Sequence, residues 1–561
     1  MTLAEPASVR ALAEAFAEGV LTRSPETATW LGDRRFDDRL SDLGPVGREA
    51  EGTALEGLRT ALACMDAPAP DGEDAITREM LELAVRDGLA ALDRRLYHLA
   101  LDQMGGPQVS LAMLLNWHTL ETEEHARTLL ARFGGFPRYV DQYVGNLAEG
   151  AACGRTSPRV ALERVVAQLR ALLETAPEAS PYGQAAEKAP AAWRGRLLAG
   201  VRDSVYPAFQ RLLTYLETEY APLARETPGL WAIPDGEATY RELVRRVIQS
   251  DLGPEEVHRI GLEELRGIRE EMRALGVRDV RAHAEALKAD PGNHFATREA
   301  LLAGARGIYE RALAALPRLF GRLPATPCRV LPIEEYRERD SVAAFYYAPS
   351  QDGSRPGTFY VNTHGPETRP RYNLPALTAH EAVPGHHLQI ALGYEARDLP
   401  RFRRHGLGVD EALTAFVEGW GLYAERLGAE LGLYGTDRER FGMLSYQAWR
   451  ATRLVVDTGL HALRWPRDRA IRFLLDEVGL PEPEVVNEVD RYIVWPGQAL
   501  AYKFGQRHLE GLRRRARDAL GPRFDARAFH DELLRHGALP LSTATAVVEH
   551  WLETVSSRAT E

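Results

Sequence analysis

Cysteine is scarce: Cys64, Cys153 and Cys328 are the only three in 561 residues, and they stand far apart. An odd, scattered set argues against both a disulfide framework and a thiolate metal cluster, leaving spectator thiols. Basic charge is in deficit as well, 69 Lys and Arg against 80 Asp and Glu, for a formal net charge of −11 spread along the chain. That balance disfavours a nucleic-acid partner, which needs a basic face to displace counterions. Long apolar runs are missing too. No window approaches the ~18–20 apolar residues of a membrane span. The opening "MTLAEPASVRALAEAFAEGVLTR" carries Glu5, Glu14 and Glu18 rather than a basic segment followed by an unbroken apolar stretch. The expected location is the cytoplasm, with no membrane partner.

What the chain has in quantity is helical period. Segments such as "TSPRVALERVVAQLRALLETA" and "GPEEVHRIGLEELRGIREEMRALG" space apolar residues three and four apart, the pattern of amphipathic helices. Such segments fill residues 1–322, read as an N-terminal helical region. Near residue 323 the character changes. "CRVLPIEEY", "VAAFYYAPS" and "GTFYVNTHG" are short, rich in Val, Tyr and Phe, and bounded by turns, so a small sheet is expected within 323–364, its last two strands antiparallel. Helices resume after Leu374. The region 323–561 therefore holds the sheet and every candidate site residue, and the two regions are expected to form one continuous, mainly α fold.

The chemistry centres on "LTAHEAVPGHHLQI" at 377–390, with His380, Glu381, His386 and His387. A zinc hydrolase needs imidazole or carboxylate ligands, an open position, and a carboxylate to take a proton from water. In the helical motif H-E-x-x-H the two histidines are four apart and face one way. Here position 384 is proline. His380 and His387, seven apart, would stand ~10 Å apart along a straight helix. Pro384 and Gly385 supply a break, because proline cannot continue the hydrogen-bond ladder and glycine tolerates unusual dihedrals. Such a break could fold either His386 or His387 toward His380.

Two later stretches strengthen that reading. "DEALTAFVEGWGLYAERLG" places Glu411, Glu418 and Glu425 at successive sevens, on one helical stripe among apolar residues. Carboxylates there are costly unless paired or metal-bound. Glu418 is the natural third ligand, with Glu425 and Glu411 as supporting acids. "VDRYIVWPGQALAYKFGQ" gathers Arg491, Tyr492, Gln498, Tyr502 and Lys503 around a Trp-Pro-Gly break. A tyrosine hydroxyl there can donate to an oxyanion, and Arg or Lys can hold a carboxylate.

The three motifs "HEAVPGHH", "EGWGLYAE" and "RYIVWPGQALAYK" resemble those of the bacterial family catalogued as domain of unknown function 885, and "PEEVHRIGLEEL" looks like that family's as well. The family is grouped with metallopeptidases of the thimet oligopeptidase, angiotensin-converting-enzyme-like and thermostable carboxypeptidase kind. The resemblance implies a large two-lobed helical fold around a deep cleft, with residues 1–322 forming much of its wall. It also implies a small antiparallel sheet whose edge strand lies along the substrate, which makes Tyr360 and Asn362 candidate substrate contacts. Aligning "GH" with the metallopeptidases' H-E-x-G-H makes His386 similar to the second ligand, behind a two-residue insertion. The same alignment lays Glu418 and Glu425 on the family's two acids and Tyr502 near its oxyanion tyrosine.

The expected function is hydrolysis of short peptides with Zn²⁺ as cofactor. His380, His386 or His387, and Glu418 are the ligands, Glu381 is the base, and Tyr502 with Tyr492 supports the oxyanion. Arg491, Lys503 and Gln498 are the candidates for holding substrate. Hydrolysis of a non-peptide ester or amide, and peptide capture without turnover, are the alternatives. Composition and spacing leave the oligomeric state open.

Overall fold

Apolar residues three and four apart close into helices along most of the chain, and 72% of the residues are helical against 3% in strands. The computed structural model describes residues 8–66, 68, 72–334, 338, 342–351, 353 and 355–557. The chain divides into two units by packing. One comprises Met1–Asp66 with Leu81–Thr239, the other Ala67–Met80 with Tyr240–Glu561. The boundary at 239/240 lies ahead of residue 323, where the sequence changes character, so helices such as Pro254–Ala274 share a unit with the sheet and the histidines.

The first unit is held by an apolar core in which Phe133, Phe136, Tyr182 and Phe209 meet mostly edge to face, with Phe136 5.6 Å from the Tyr182 ring and 5.9 Å from that of Phe209. Arg132 is buried beside it, its guanidinium donating to the carbonyls of Phe36 and Arg39 and to Thr29. A buried charge persists because every part of it finds an acceptor.

The second unit contains α1 (Pro254–Ala274), β1 (Cys328–Pro332), β2 (Ala344–Tyr347), β3 (Gly357–Val361), α2 (Leu374–Glu381), α3 (His386–Glu395), α4 (Asp410–Glu430), α5 (Asp437–His461), α6 (Glu482–Val494) and α7 (Ala501–Leu520). The sheet order is β1-β3-β2. As expected, β2 pairs antiparallel with β3, from Ala344 opposite Val361 to Tyr347 opposite Thr358. The sheet as a whole is mixed rather than antiparallel, because β1 lies parallel to β3 on its other side. A parallel neighbour cannot be joined by a tight hairpin, so no local turn in the sequence announces it.

Two helix crossings set up the site. α4 packs most extensively on α7, where Gly419 meets Gly505: a Cβ on Gly505 would lie 1.8 Å from the Ala415 carbonyl oxygen. Only bare backbone permits that approach, and it brings the acids of α4 beside the residues after the Trp-Pro-Gly break. α5 opens with a capping box in which the Thr436 hydroxyl accepts from the Glu439 amide and the Glu439 carboxylate accepts from the Thr436 amide. It then packs against both α1 and α2. Nineteen of its 25 residues are buried, so the charged groups it carries must be satisfied inside the protein.

Candidate metal centre

The helix carrying His380 ends at Glu381, and the next begins at His386. Between them the Val383–Pro384 peptide is cis, and the His387 amide donates back to the Ala382 carbonyl. Gly385 fits here because a Cβ would stand 1.9 Å from the His380 carbonyl oxygen. Trp420 of α4 fixes the turn from outside, its indole N–H donating to the Pro384 carbonyl at 2.8 Å. The break brings the rings of His380 and His386 edge to face, 4.7 Å between centroids.

Both rings address one carboxylate. Glu418 Oε2 lies 3.6 Å from His380 Nε2 and 3.5 Å from His386 Nε2. One donor atom from each of the three residues lies within 4.8 Å of the other two. Ligands ~2.0–2.1 Å from a zinc in tetrahedral geometry stand ~3.3–3.5 Å apart, close to the two Glu418–histidine distances. His380 Nδ1 donates to Glu425 Oε1 at 2.9 Å, which orients the ring with Nε2 toward Glu418. Glu425 is fully buried, and its other oxygen accepts from the Gln447 amide at 2.9 Å.

The electrostatics suit a cation. Burial disfavours charge on both His380 and Glu418, but their attraction across 3.6 Å outweighs it. The His380 pKa rises to about 9 with help from Glu425, and that of Glu418 falls well below the ordinary carboxylate range with help from His386. Glu381 behaves oppositely. Burial raises its pKa more than the nearby His380 and His386 lower it, placing a basic carboxylate next to the ligands.

His387 is turned away. Its Nε2 donates to the Thr326 carbonyl at 3.1 Å and its Nδ1 accepts from the Tyr346 hydroxyl at 3.0 Å. Successive helical residues diverge by ~100°, so once His386 faces His380 its neighbour must face the sheet. Burial lowers the His387 pKa to about 4 and keeps it neutral.

Several other candidates are committed elsewhere. Glu411 is exposed and pairs with Arg246 at 2.7 Å. Tyr492 is fully buried, and its hydroxyl donates to Glu488 at 2.7 Å and accepts from Arg453. Arg491 donates to Gln498 at 2.6 Å and faces Glu488 at 3.3 Å, so those two candidates satisfy one another. Lys503 is buried between Gln447 and Gln506, each accepting from its ammonium at 2.9 Å, and burial with the charge of Arg426 lowers its pKa to about 8. It therefore closes a hydrogen-bonded chain from His380 through Glu425 and Gln447. Asn362 is buried and bridges the carbonyls of Glu338 and Val342. Tyr360 lies on the central strand, not an edge, and stacks on Phe345 at 5.1 Å between centroids. Tyr502 is half-buried with its ring beneath the Arg453 guanidinium, 4.3 Å away.

Sequence reading overlooked Gly421 and the polar residues of α5. A Cβ on Gly421 would fall 2.7–3.0 Å from three atoms of the His380 ring, so "EGWG" is a motif in which every position touches the site or its supports. Gln447, Arg450 and Arg453 recur three apart along α5 among the buried residues of its middle, a spacing that puts them near one face.

Fold and site together define a class: a mainly helical protein in which two buried histidines and a partly buried glutamate form a candidate metal site. The chain belongs to the family described as bacterial protein of unknown function (DUF885), whose pattern matches residues 25–548. A presumed lipoprotein of Colwellia psychrerythraea has a similar solved structure, with a TM-score of 0.90 and 27% identity over 98% of this chain and 100% of that one. A presumed lipoprotein of unknown function from Shewanella oneidensis shares the fold at 18% identity, with a TM-score of 0.75 over 96% of this chain and 99% of that one. No curated protein matches the chain. Among the described residues no helix is long and apolar enough to cross a membrane.

Proposed function

We propose that this protein is a zinc-dependent hydrolase acting on short peptides. The observation that carries the reading is the convergence of His380, His386 and Glu418 at ligand spacing, with Glu425 holding the far nitrogen of His380. In this reading His380 Nε2, His386 Nε2 and a Glu418 oxygen would hold the ion, which when bound would supply Lewis acidity and lower the pKa of water. Glu381, adjacent to the ligands and raised in pKa by burial, takes the proton from water and returns it to the leaving amine. Tyr502 donates to the oxygen of the attacked carbonyl. Glu425, Gln447 and Lys503 keep the His380 ring in its ligating orientation. The three motifs resemble those of a family grouped with metallopeptidases, which supports the same assignment.

Metal analysis beside hydrolysis of a peptide library tests the reading. Stoichiometric zinc with turnover that Glu381→Gln abolishes is the expected result. Zinc retained by His380→Ala, or full activity of Glu381→Gln, rejects the respective assignment.

A further inference from the structure

Among the described residues of the second unit, a buried guanidinium has two donor atoms without an acceptor. Arg450 of α5 is 6% exposed, and its Nε and Nη1 have no partner among the described residues. Its guanidinium lies over the rings of Tyr446, 4.7 Å away, and Trp449, 4.5 Å away, which hold it flat without satisfying its donors. One turn on, Arg453 is 3% exposed and spends Nε on Tyr492 and Nη2 on Glu488, while Nη1 is also without a partner. The indole N–H of Trp449, whose ring both guanidinium groups overlie, is a fourth buried donor in the same condition.

Charge is as unbalanced as hydrogen bonding. Arg450, Arg453 and Arg491 all act on Glu488, whose carboxylate they hold at a pKa of about 2 against the opposing effect of burial. One acid thus stands among three guanidinium groups. Arg450 also acts on Glu381, so its charge reaches the proposed base as well as the cluster. A buried guanidinium with free donors is costly, and native proteins keep one where something else supplies the acceptor. Planar N–H donors, aromatic walls and excess positive charge match the two coplanar oxygens of a carboxylate.

We propose that Arg450, assisted by the free Nη1 of Arg453, is a specificity-determining residue that binds a carboxylate of the substrate, namely the C-terminal carboxylate of a peptide. Tyr502, whose ring packs under Arg453, ties this anion site to the group assigned to the attacked carbonyl. The inference rests on the hydrolase reading for the identity of the substrate, but the anion site stands on its own geometry.

The test uses one blocked tripeptide in three forms: free acid, amide, and amide with an internal Glu. Each is applied to the full-length zinc-loaded protein and to Arg450→Gln and Arg450→Lys. The ligand-induced rise in Tm reports binding, and product release reports turnover. On the unmodified protein the free acid should bind at least about tenfold more tightly than the amide, the scale of a charge-assisted hydrogen bond. Arg450→Gln should erase that preference and Arg450→Lys restore part of it. A preference shown instead by the internal Glu overturns the assignment to the C-terminal carboxylate. Equal response to acid and amide on the unmodified protein, or no response to either, overturns the proposal whether or not the variants fold. Arg450-dependent binding without product rejects the hydrolase reading and keeps the anion site. Equal cleavage of acid and amide does the reverse.

Discussion

His380 Nδ1 donates to Glu425 Oε1 at 2.9 Å across the interface of α2 and α4, and neither side chain is more than 3% exposed. The bond decides which imidazole nitrogen can face a metal. Such supporting carboxylates typically contribute ~10–100-fold in metal affinity. Glu425→Ala should therefore weaken zinc binding by about that factor, measured by competition with a chromophoric chelator. Glu425→Gln keeps an acceptor oxygen and should lose less. Equal affinity in all three proteins would mean that the His380 ring needs no such support.

The two adjacent histidines make a sharper comparison. His386→Ala removes one of the three convergent donors and should abolish stoichiometric zinc. His387→Ala should keep zinc but leave Tyr346 and the Thr326 carbonyl without their shared partner, lowering Tm instead. Loss of a buried hydrogen bond and the accompanying cavity puts that cost at ~2–4 kcal/mol. Zinc lost from His387→Ala and retained by His386→Ala would reverse the assignment.

How much of this was legible in the sequence follows from how local each feature is. Glu418 and Glu425 could be read because seven residues is two helical turns, and the helix that carries them is encoded by its own residues. His380 and the break at Pro384 could be read for the same reason. Which of His386 and His387 turns inward could not, since the direction of α3 depends on Trp420, 36 residues from Pro384. Tyr492, Lys503 and Asn362 carry the right chemistry for binding substrate, but Arg453, Gln447 and Glu338 consume it. Those partners lie 24 to 56 residues away in sequence, and no periodicity connects them. The strand β1 was legible in "CRVLP", but its parallel pairing with β3 was not, on the same grounds.

Gly421 offers a test of packing at the metal centre with a built-in control. Alanine is the better helix former, so Gly→Ala in a helix usually stabilises by ~0.5–1 kcal/mol. At Gly511 of α7 nothing lies within 4 Å of the added Cβ, and that gain is expected. At Gly421 the Cβ would press on the His380 ring at 2.7–3.0 Å. Gly421→Ala should accordingly lower zinc affinity while helicity by circular dichroism stays at the level of the unmodified protein. Unchanged affinity would show that the ring can shift without losing its ligating position.

A second ionic group, made by Glu73, Arg403 and His536, contributes to stability in acid. Arg403 is buried, its Nη1 2.5 Å from Glu73 Oε2 and its Nη2 donating to the His536 carbonyl, while His536 Nδ1 lies 2.7 Å from Glu73 Oε1. Burial alone would raise the Glu73 pKa, but His536 and Arg403 reverse that and bring it to about 2. Its folded value lies below the unfolded one of 4.5, so Glu73 contributes stability above pH 4.5 that is lost as pH falls toward 2. His536 has the opposite sign. Burial opposes its charge, but Glu532 and Glu73 raise its pKa above 6.5, so its contribution is complete below 6.5 and fades as pH rises through the folded value. Together they predict that the group stabilises most between about pH 4.5 and 6.5. The Glu73 side chain is 44% exposed, so solvent screening limits its share to ~1 kcal/mol. Glu73→Gln should lower Tm at pH 6 and flatten the fall in Tm between pH 4.5 and 2.5. A variant whose Tm falls as steeply as that of the unmodified protein over that interval would move the acid sensitivity to other carboxylates.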